Sequence, residues 1–85
     1  MPTVSRFRNM KVPMFFFDHQ PPHFHVRHAK RNCICLLDGS LHIGELATDQ
    51  QGIIKKWAAL HAVEIDTNWQ LCLEGKSPNY IPGLD

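Results

Sequence analysis

The chain of 85 residues lacks the features that would place it in a membrane, secreted or disulfide-rich class. Its longest apolar run, residues 12–17, is far shorter than the ~20 residues that cross a bilayer and is interrupted by Pro13. No apolar stretch follows the basic residues of the first eleven positions, so no secretory signal is predicted. Three cysteines, an odd number, cannot close a disulfide framework. We therefore expect a cytoplasmic protein with reduced thiols and no membrane partner.

The sequence also lacks the motifs that are typical of particular enzyme reactions. There is no glycine-rich phosphate loop, no Gly-x-Ser-x-Gly elbow and no zinc-finger spacing. The chain has no repeat or linker and is 44% hydrophobic and 20% charged, which is typical of one globular domain. We assign this domain to residues 1–76 and a C-terminal tail to residues 77–85, because Pro78 and Pro82 cannot continue a helix.

The net charge of +1 hides an asymmetry. Residues 1–31 contain six Lys and Arg against one acid, whereas residues 32–85 contain three Lys against seven Asp and Glu. Such a split is typical of an anion-binding half, and equally of two halves that complement each other in a fold or an oligomer. Near the N-terminus lie three cations, Arg6, Arg8 and Lys11, with Phe7 among them. This pattern suits phosphate contact and base stacking, or a mobile basic arm.

The apolar pattern of the first half predicts an antiparallel sheet of about four strands within residues 12–46. The strands are expected at residues 12–17, 23–29, 33–37 and 41–46. Asp38, Gly39 and Ser40 form a compact hairpin signal between the last two strands, since glycine is free to adopt a positive φ.

The second half has a helical period. Apolar residues recur every three or four positions, which predicts an amphipathic helix or helix pair over residues 48–74, continuous or broken near Asp66–Thr67. Packed on one face of the sheet, it gives a two-layer α+β domain. His61 lies on the apolar stripe of this helix. A histidine there is usually a core residue, but it can also face the strands and complete a site.

The nine residues that begin at Asp18, Asp-His-Gln-Pro-Pro-His-Phe-His-Val, are the most informative. His23 and His25 alternate along a strand, so both imidazoles lie on one face, about 6–7 Å apart at Cα. Asp18 and His19 can approach from the preceding turn, and Arg27 lies on the same face and can hold an anion. The histidines can equally be structural, because histidines beside a Pro-Pro turn often bond to free carbonyl groups.

The first functional hypothesis is a metal-independent enzyme that uses acid–base catalysis. His23 and His25 are then the candidate general acid and base, with Arg27 or Arg6 as the cation that holds an anionic substrate. His19 and His61 are the alternative candidates for the acid–base roles. The candidate binding residues are Arg6, Arg8, Asp18 and His19.

Two further hypotheses use the same segment without acid–base catalysis. In one, His23 and His25 hold a divalent metal such as zinc, although the pattern establishes no cofactor. The third ligand would come from Asp18, His19 or His61. In the other, the rigid Pro-Pro turn and its histidines form a recognition surface for a partner protein. The pattern is compatible with an enzyme and with a binding module.

A combination of short segments carries a family resemblance. These segments are Met1–Phe7, Asp18–Val26, Leu37–Leu41, Gly44–Leu46, Trp57–His61 and Asn68–Trp69. Together they resemble the small bacterial family filed as domain of unknown function 4160, over about residues 1–76. The residues that match its hallmarks are Ser5, Arg6, Asp18, His19, Pro21, Pro22, His23, His25 and His61.

The resemblance implies a role in the cell without implying a reaction. Members commonly sit beside a second small gene, of domain-of-unknown-function family 2442, and the pairs look like toxin–antitoxin modules with this family in the toxin-like position. The resemblance therefore implies a small antitoxin-like partner protein and a target in RNA or translation. With RNA as the target, the acid–base hypothesis becomes a ribonuclease in which Arg27 or Arg6 lies over the scissile phosphate. The chain departs from the family pattern in the basic segment His28–Asn32 and at Cys33 and Cys35. Because of these departures, a substrate contact that other members make on that turn is not expected in this chain, whereas the fold is expected to be the same.

Overall fold

The computed structural model describes residues 2–84, which form a five-stranded antiparallel sheet followed by two helices. The elements are β1 (Thr3–Phe7), β2 (Met10–Pro13), β3 (His23–His28), β4 (Arg31–Leu36), β5 (Leu41–Gly44), α1 (Thr48–Leu60) and α2 (Ala62–Leu73). The strands lie side by side in chain order, each antiparallel to the next. The predicted α+β class is confirmed. Neither α1 nor α2 combines the length and apolar character needed to cross a membrane.

One face of the sheet forms the core together with the helices. Alternate strand residues are buried here: Phe7, Met10, Val12, Phe24, Val26, Cys33 and Cys35. Trp57 of α1 is fully buried against them, with its ring 5.4 Å from Phe7 and 5.5 Å from Phe24. The three cysteines are free and lie in this core. Burial raises the pKa of the Cys72 thiol, which keeps it protonated near neutral pH.

The sheet has one strand more than predicted. β1 occupies the segment that the sequence allowed as a mobile basic arm, and β2 is shorter and earlier than the predicted strand at residues 12–17. The turn between β1 and β2 consists of Arg8 and Asn9, with φ of 51° and 63°. Two consecutive left-handed residues favour Gly or Asn. Because arginine occupies the first of these positions, the sequence pattern did not predict the β1–β2 hairpin.

The helical region begins and ends within the predicted residues 48–74, but its break lies at His61 rather than near Asp66–Thr67. The backbone of His61, with φ −114° and ψ 29°, separates α1 from α2. The predicted hairpin turn is confirmed. Its Gly39 has φ +89°, and a Cβ placed there would lie 2.8 Å from Lys55 Cα, so α1 packs directly on this turn.

The C-terminal segment, predicted as a tail, contains no helix or strand among its described residues, and it packs on the domain. Ile81 is 1% exposed and its N–H donates to the backbone of β1. The fully buried Asn68 side chain donates to the Asn79 carbonyl and accepts the Asn79 N–H, both at 2.8 Å. Trp57 Nε1–H donates to the Pro82 carbonyl at 2.9 Å.

Candidate functional site

The loop of residues 14–22 brings a carboxylate to the start of β3. Phe17 N–H donates to the Cys72 carbonyl at 3.1 Å, which fastens the loop to α2. The Gln20–Pro21 peptide is cis. Between these points Asp18 lies over the first residues of β3, and its side chain is 14% exposed.

Asp18 lies between His23 and His25, and we call these three residues the histidine cluster. Asp18 Oδ2 lies 2.8 Å from His23 Nε2 and 3.3 Å from His25 Nε2. One potential ligand atom from each residue falls within 4.8 Å of the others. The side chain of His23 is 1% exposed and that of His25 is 22% exposed. Of the two histidines, His25 is therefore the one placed to touch a molecule in solution.

Backbone groups orient both the ring and the carboxylate. His23 Nδ1 lies 2.7 Å from the Pro21 carbonyl oxygen. A carbonyl only accepts, so Nδ1 carries the proton in this contact and Nε2 is the nitrogen next to Asp18. The other carboxylate oxygen, Oδ1, accepts the His19 backbone N–H at 2.9 Å. The structural role predicted from the sequence, a histidine that bonds to a carbonyl beside the Pro-Pro turn, therefore holds for Nδ1 of His23. Nε2 of the same ring lies next to the Asp18 carboxylate.

The electrostatics of the cluster favour a carboxylate beside a neutral imidazole. Burial acts to raise the pKa of Asp18, but the His19 N–H and the nearby histidines outweigh it and hold this pKa below its usual value. Burial also lowers the pKa of His25, by more than the hydrogen bond to Asp18 raises it. A neutral ring next to a carboxylate can bind a metal ion or accept a proton.

A row of cations crosses the outer face of the sheet. Arg6 of β1 is in register with Lys11 of β2, and Lys11 is in register with Arg27 of β3. Cross-strand partners place their side chains on the same face. Phe7 and Met10, the next register pair, are buried in the core, so the three cations lie on the opposite, outer face. We call Arg6, Lys11 and Arg27 the cation row.

The cation row and the histidine cluster share strand β3. Arg27 follows His25 by two residues on the same face, roughly 6–7 Å away at Cα. The cation row lines an open cleft of about 660 Å³ that does not extend to the cluster, and the other lining residues are Phe7, Asn9, Met10 and Ala29. The turns β1–β2 and β3–β4 lie at one end of an antiparallel meander. Six cations therefore gather near this end: Arg6, Arg8, Lys11, Arg27, Lys30 and Arg31.

His61 lies apart from the histidine cluster. Its Nδ1 is 2.8 Å from Glu64 Oε1, and its ring centroid is 6.1 Å from that of Trp57. Within residues 2–84, the group able to share an ion consists of Asp18, His23 and His25. Of the three sequence candidates for a third ligand, the structure brings Asp18 to the histidine pair, and it pairs His61 with Glu64.

The remaining sequence candidates lie at the margins of the site. The His19 side chain is 73% exposed, with Nε2 3.7 Å from Asp18 Oδ1. Arg8 is exposed in the β1–β2 turn. Phe7 is 9% exposed and packs on Trp57, so it belongs to the core rather than to a stacking surface.

The sequence grouped Lys11 with Arg6 and Arg8 as candidate phosphate contacts, but it did not predict that Lys11 lies between Arg6 and Arg27 on one face of the sheet. The signal that could have predicted this alignment is Asn9, a residue that tolerates positive φ, between two short alternating segments. A hairpin centred there places Lys11 opposite Arg6, as observed.

Comparison with known proteins identifies a family. The family model described as domain of unknown function (DUF4160) matches residues 9–70, which is most of the chain. The matched residues include the whole Asp-His-x-Pro-Pro-His-Phe-His motif and exclude β1 with Arg6. No curated protein and no solved structure matches the chain significantly. The chain therefore belongs to the DUF4160 family.

Proposed function

We propose that this domain binds single-stranded RNA across the outer face of its sheet, with the cation row on the phosphate backbone. The observation that carries the proposal is the register of Arg6, Lys11 and Arg27. Like charges directly opposite one another on a sheet face destabilise the sheet. A polyanion that lies across all three cations converts this unfavourable arrangement into a binding site.

The neighbouring row of the same face suits the bases. His25, Ile34 and Ile43 are in register on β3, β4 and β5, two residues along β3 from the cation row. Ile43 is 54% exposed, and the His25 side chain, whose ring lies 4.4 Å from that of Phe15, is 22% exposed. Unpaired bases stack on imidazole rings and on apolar surface, whereas phosphates take the cations. A face with one charged row and one apolar row therefore fits a single strand better than a duplex, whose bases are turned inward.

Fluorescence anisotropy at several salt concentrations tests this proposal with a labelled single-stranded RNA. An RNA of roughly 12 nucleotides is suitable, because this length is within the site sizes of single-strand binders. Three phosphate contacts predict a slope of log K against log salt of about −2. The substitution Lys11→Gln should weaken binding and reduce this slope by about 0.7. Lys56→Gln, on the exposed side of α1, is the matched control and should change neither. Equal binding by both variants would contradict the proposal.

The proposal extends to the two-gene module that the family resemblance implies. In this module the domain is the toxin-like component with RNA as its target, and its partner is a small antitoxin-like protein of domain-of-unknown-function family 2442. Support for this part comes from the resemblance together with the cation row. Expression of the chain in a bacterial host should slow growth, and the double variant Lys11→Gln, Arg27→Gln should relieve the effect. Unchanged inhibition by the folded double variant would contradict an RNA-directed role.

A further inference from the structure

The geometry of the histidine cluster points to a metal site. We propose that Asp18, His23 and His25 bind one divalent transition-metal ion, with Zn²⁺ as the simplest candidate. The ligand atoms are Asp18 Oδ2 and the Nε2 atoms of the two histidines. Nitrogen and carboxylate ligands of this kind are typical of zinc sites that keep one position open to solvent or substrate.

A buried nitrogen without a hydrogen-bond partner is the first observation in support. His23 Nε2 lies 2.8 Å from Asp18 Oδ2, but the direction of approach does not satisfy hydrogen-bond geometry, and the nitrogen has no other partner among the described residues. With the proton on Nδ1, which donates to the Pro21 carbonyl, Nε2 presents a lone pair that lies off the line to Asp18 Oδ2. Two acceptor atoms 2.8 Å apart in a site with 1% exposure repel each other. A cation bound to both atoms turns this repulsion into two favourable contacts.

The surroundings of the cluster match those of metal ligands. A metal-binding histidine usually donates its other ring N–H to a carbonyl or carboxylate, as His23 does to Pro21. A metal-binding carboxylate is in turn usually hydrogen-bonded, as Asp18 Oδ1 is by the His19 N–H. These partners fix the orientation of the His23 ring and of the Asp18 carboxylate before an ion arrives.

The distances fit a small first-row ion. Ligand atoms about 2.0–2.1 Å from a tetrahedral Zn²⁺ lie about 3.3 Å from one another. The separations of 2.8 Å and 3.3 Å from Asp18 Oδ2 to the two nitrogens approach this value. All three atoms lie within 4.8 Å of one another, so an ion would draw the two histidine rings and Asp18 together. The ion's remaining position would then open on the side of His25, the more exposed histidine.

Other groups of the described chain compete poorly for such an ion. Cys33, Cys35 and Cys72 are 3%, 1% and 1% exposed in the core. His61 has one neighbouring carboxylate, Glu64, and does not belong to a three-ligand group in residues 2–84. One equivalent of metal at the histidine cluster is therefore the expected stoichiometry.

The position of the ion also bears on the RNA proposal. Arg27 of the cation row follows His25 by two residues on the same face, so a phosphate held by the row would lie beside the open metal position. This last step rests on the proposed RNA-binding function. The metal site itself does not, because its ligands lie outside the cation row.

Calorimetric titration of the full chain with Zn²⁺, after treatment with EDTA and dialysis, tests the site. The unsubstituted chain should bind one equivalent with submicromolar affinity. His25→Gln and Asp18→Asn should each weaken binding at least about 10-fold, since even the loss of an outer partner has that effect. His61→Gln is the control for a histidine outside the cluster and should bind as tightly as the unsubstituted chain. Circular dichroism establishes that each variant is folded.

A second readout requires no substitution. In ¹H–¹⁵N spectra of the imidazole groups, one equivalent of Zn²⁺ should shift the Nε2 resonances of His23 and His25 and leave those of His42 and His61 in place. Less than a tenth of an equivalent bound, or equal binding by His25→Gln, Asp18→Asn and the unsubstituted chain, would overturn the proposal. RNA binding by the zinc-free chain is a separate measurement, so failure of either proposal can be recognised on its own.

Discussion

Replacing Lys11 by glutamine should stabilise the fold while it weakens RNA binding. Lys11 has an arginine in register on each side, Arg6 on β1 and Arg27 on β3. Each like-charge pair directly opposite on a sheet costs about 0.2–1 kcal/mol. Removal of the central charge relieves both pairs, so we expect the free energy of unfolding to rise by about 0.4–2 kcal/mol at low salt.

Coulomb's law gives the same scale. Long side chains spread their charges to about 8 Å, and at this distance two unit charges in water repel by about 0.5 kcal/mol. Two such pairs give about 1 kcal/mol. The Debye length falls from about 30 Å at 10 mM salt to about 3 Å at 1 M. The gain should therefore be largest at low salt and nearly absent at 1 M.

Urea unfolding followed by the fluorescence of the buried Trp57 and Trp69 measures the effect at both salt concentrations. Lys56→Gln, an exposed change on α1, is the control and should stay within about 0.5 kcal/mol of the unsubstituted chain. A loss of stability in Lys11→Gln at low salt would refute the reasoning. A gain that is equal at both salt concentrations would refute it too, because it would come from strand propensity rather than from charge.

Three further predictions concern the scaffold. Gly39→Ala should destabilise the fold by about 2 kcal/mol or more, because Gly39 has a left-handed φ of +89° and a Cβ there would lie 2.8 Å from the backbone of α1. Gly52→Ala, in open space within α1, should instead stabilise the fold by about 0.5–1 kcal/mol. Thermal denaturation of the two variants measures both effects. Asn68→Ala removes two hydrogen bonds to the C-terminal segment and should cost about 1–3 kcal/mol, with faster amide exchange at the end of the chain. The Ser40 hydroxyl and, to a smaller extent, the Ser40 N–H donate to Asp38 and lower the pKa of that carboxyl. The resulting stabilisation is present above the ordinary Asp pKa and is lost as the pH falls through the lowered value. Ser40→Ala should therefore raise the Asp38 pKa in an NMR titration and make the free energy of unfolding less dependent on pH in acid.

Local pattern was sufficient to predict much of the architecture. Alternation placed His23, His25 and Arg27 on one face of a strand, and the Asp-Gly-Ser turn follows from its own residues. β1 was not predicted as a strand because Arg8 occupies a left-handed turn position that pattern rules give to Gly or Asn.

The rest depends on tertiary structure. The helix breaks at His61 although the apolar period continues through it, so the period itself contains no signal for the break. The approach of Asp18 to His23 and His25 depends on how the loop of residues 14–22 is fastened to α2, which no spacing in the sequence specifies. In the same way, the cation row exists only because three strands align Arg6, Lys11 and Arg27.

The central claim is that the outer face of the sheet is the functional surface of this domain. A ¹H–¹⁵N correlation spectrum of the zinc-free chain, titrated with a single-stranded RNA, tests it residue by residue. Shifts should concentrate at Arg6, Lys11 and Arg27 and extend to Ile34 and Ile43, while the amides of α1 and α2 stay in place. Shifts confined to the helices, or no shifts at salt concentrations low enough for the cations to bind phosphate, would contradict the account.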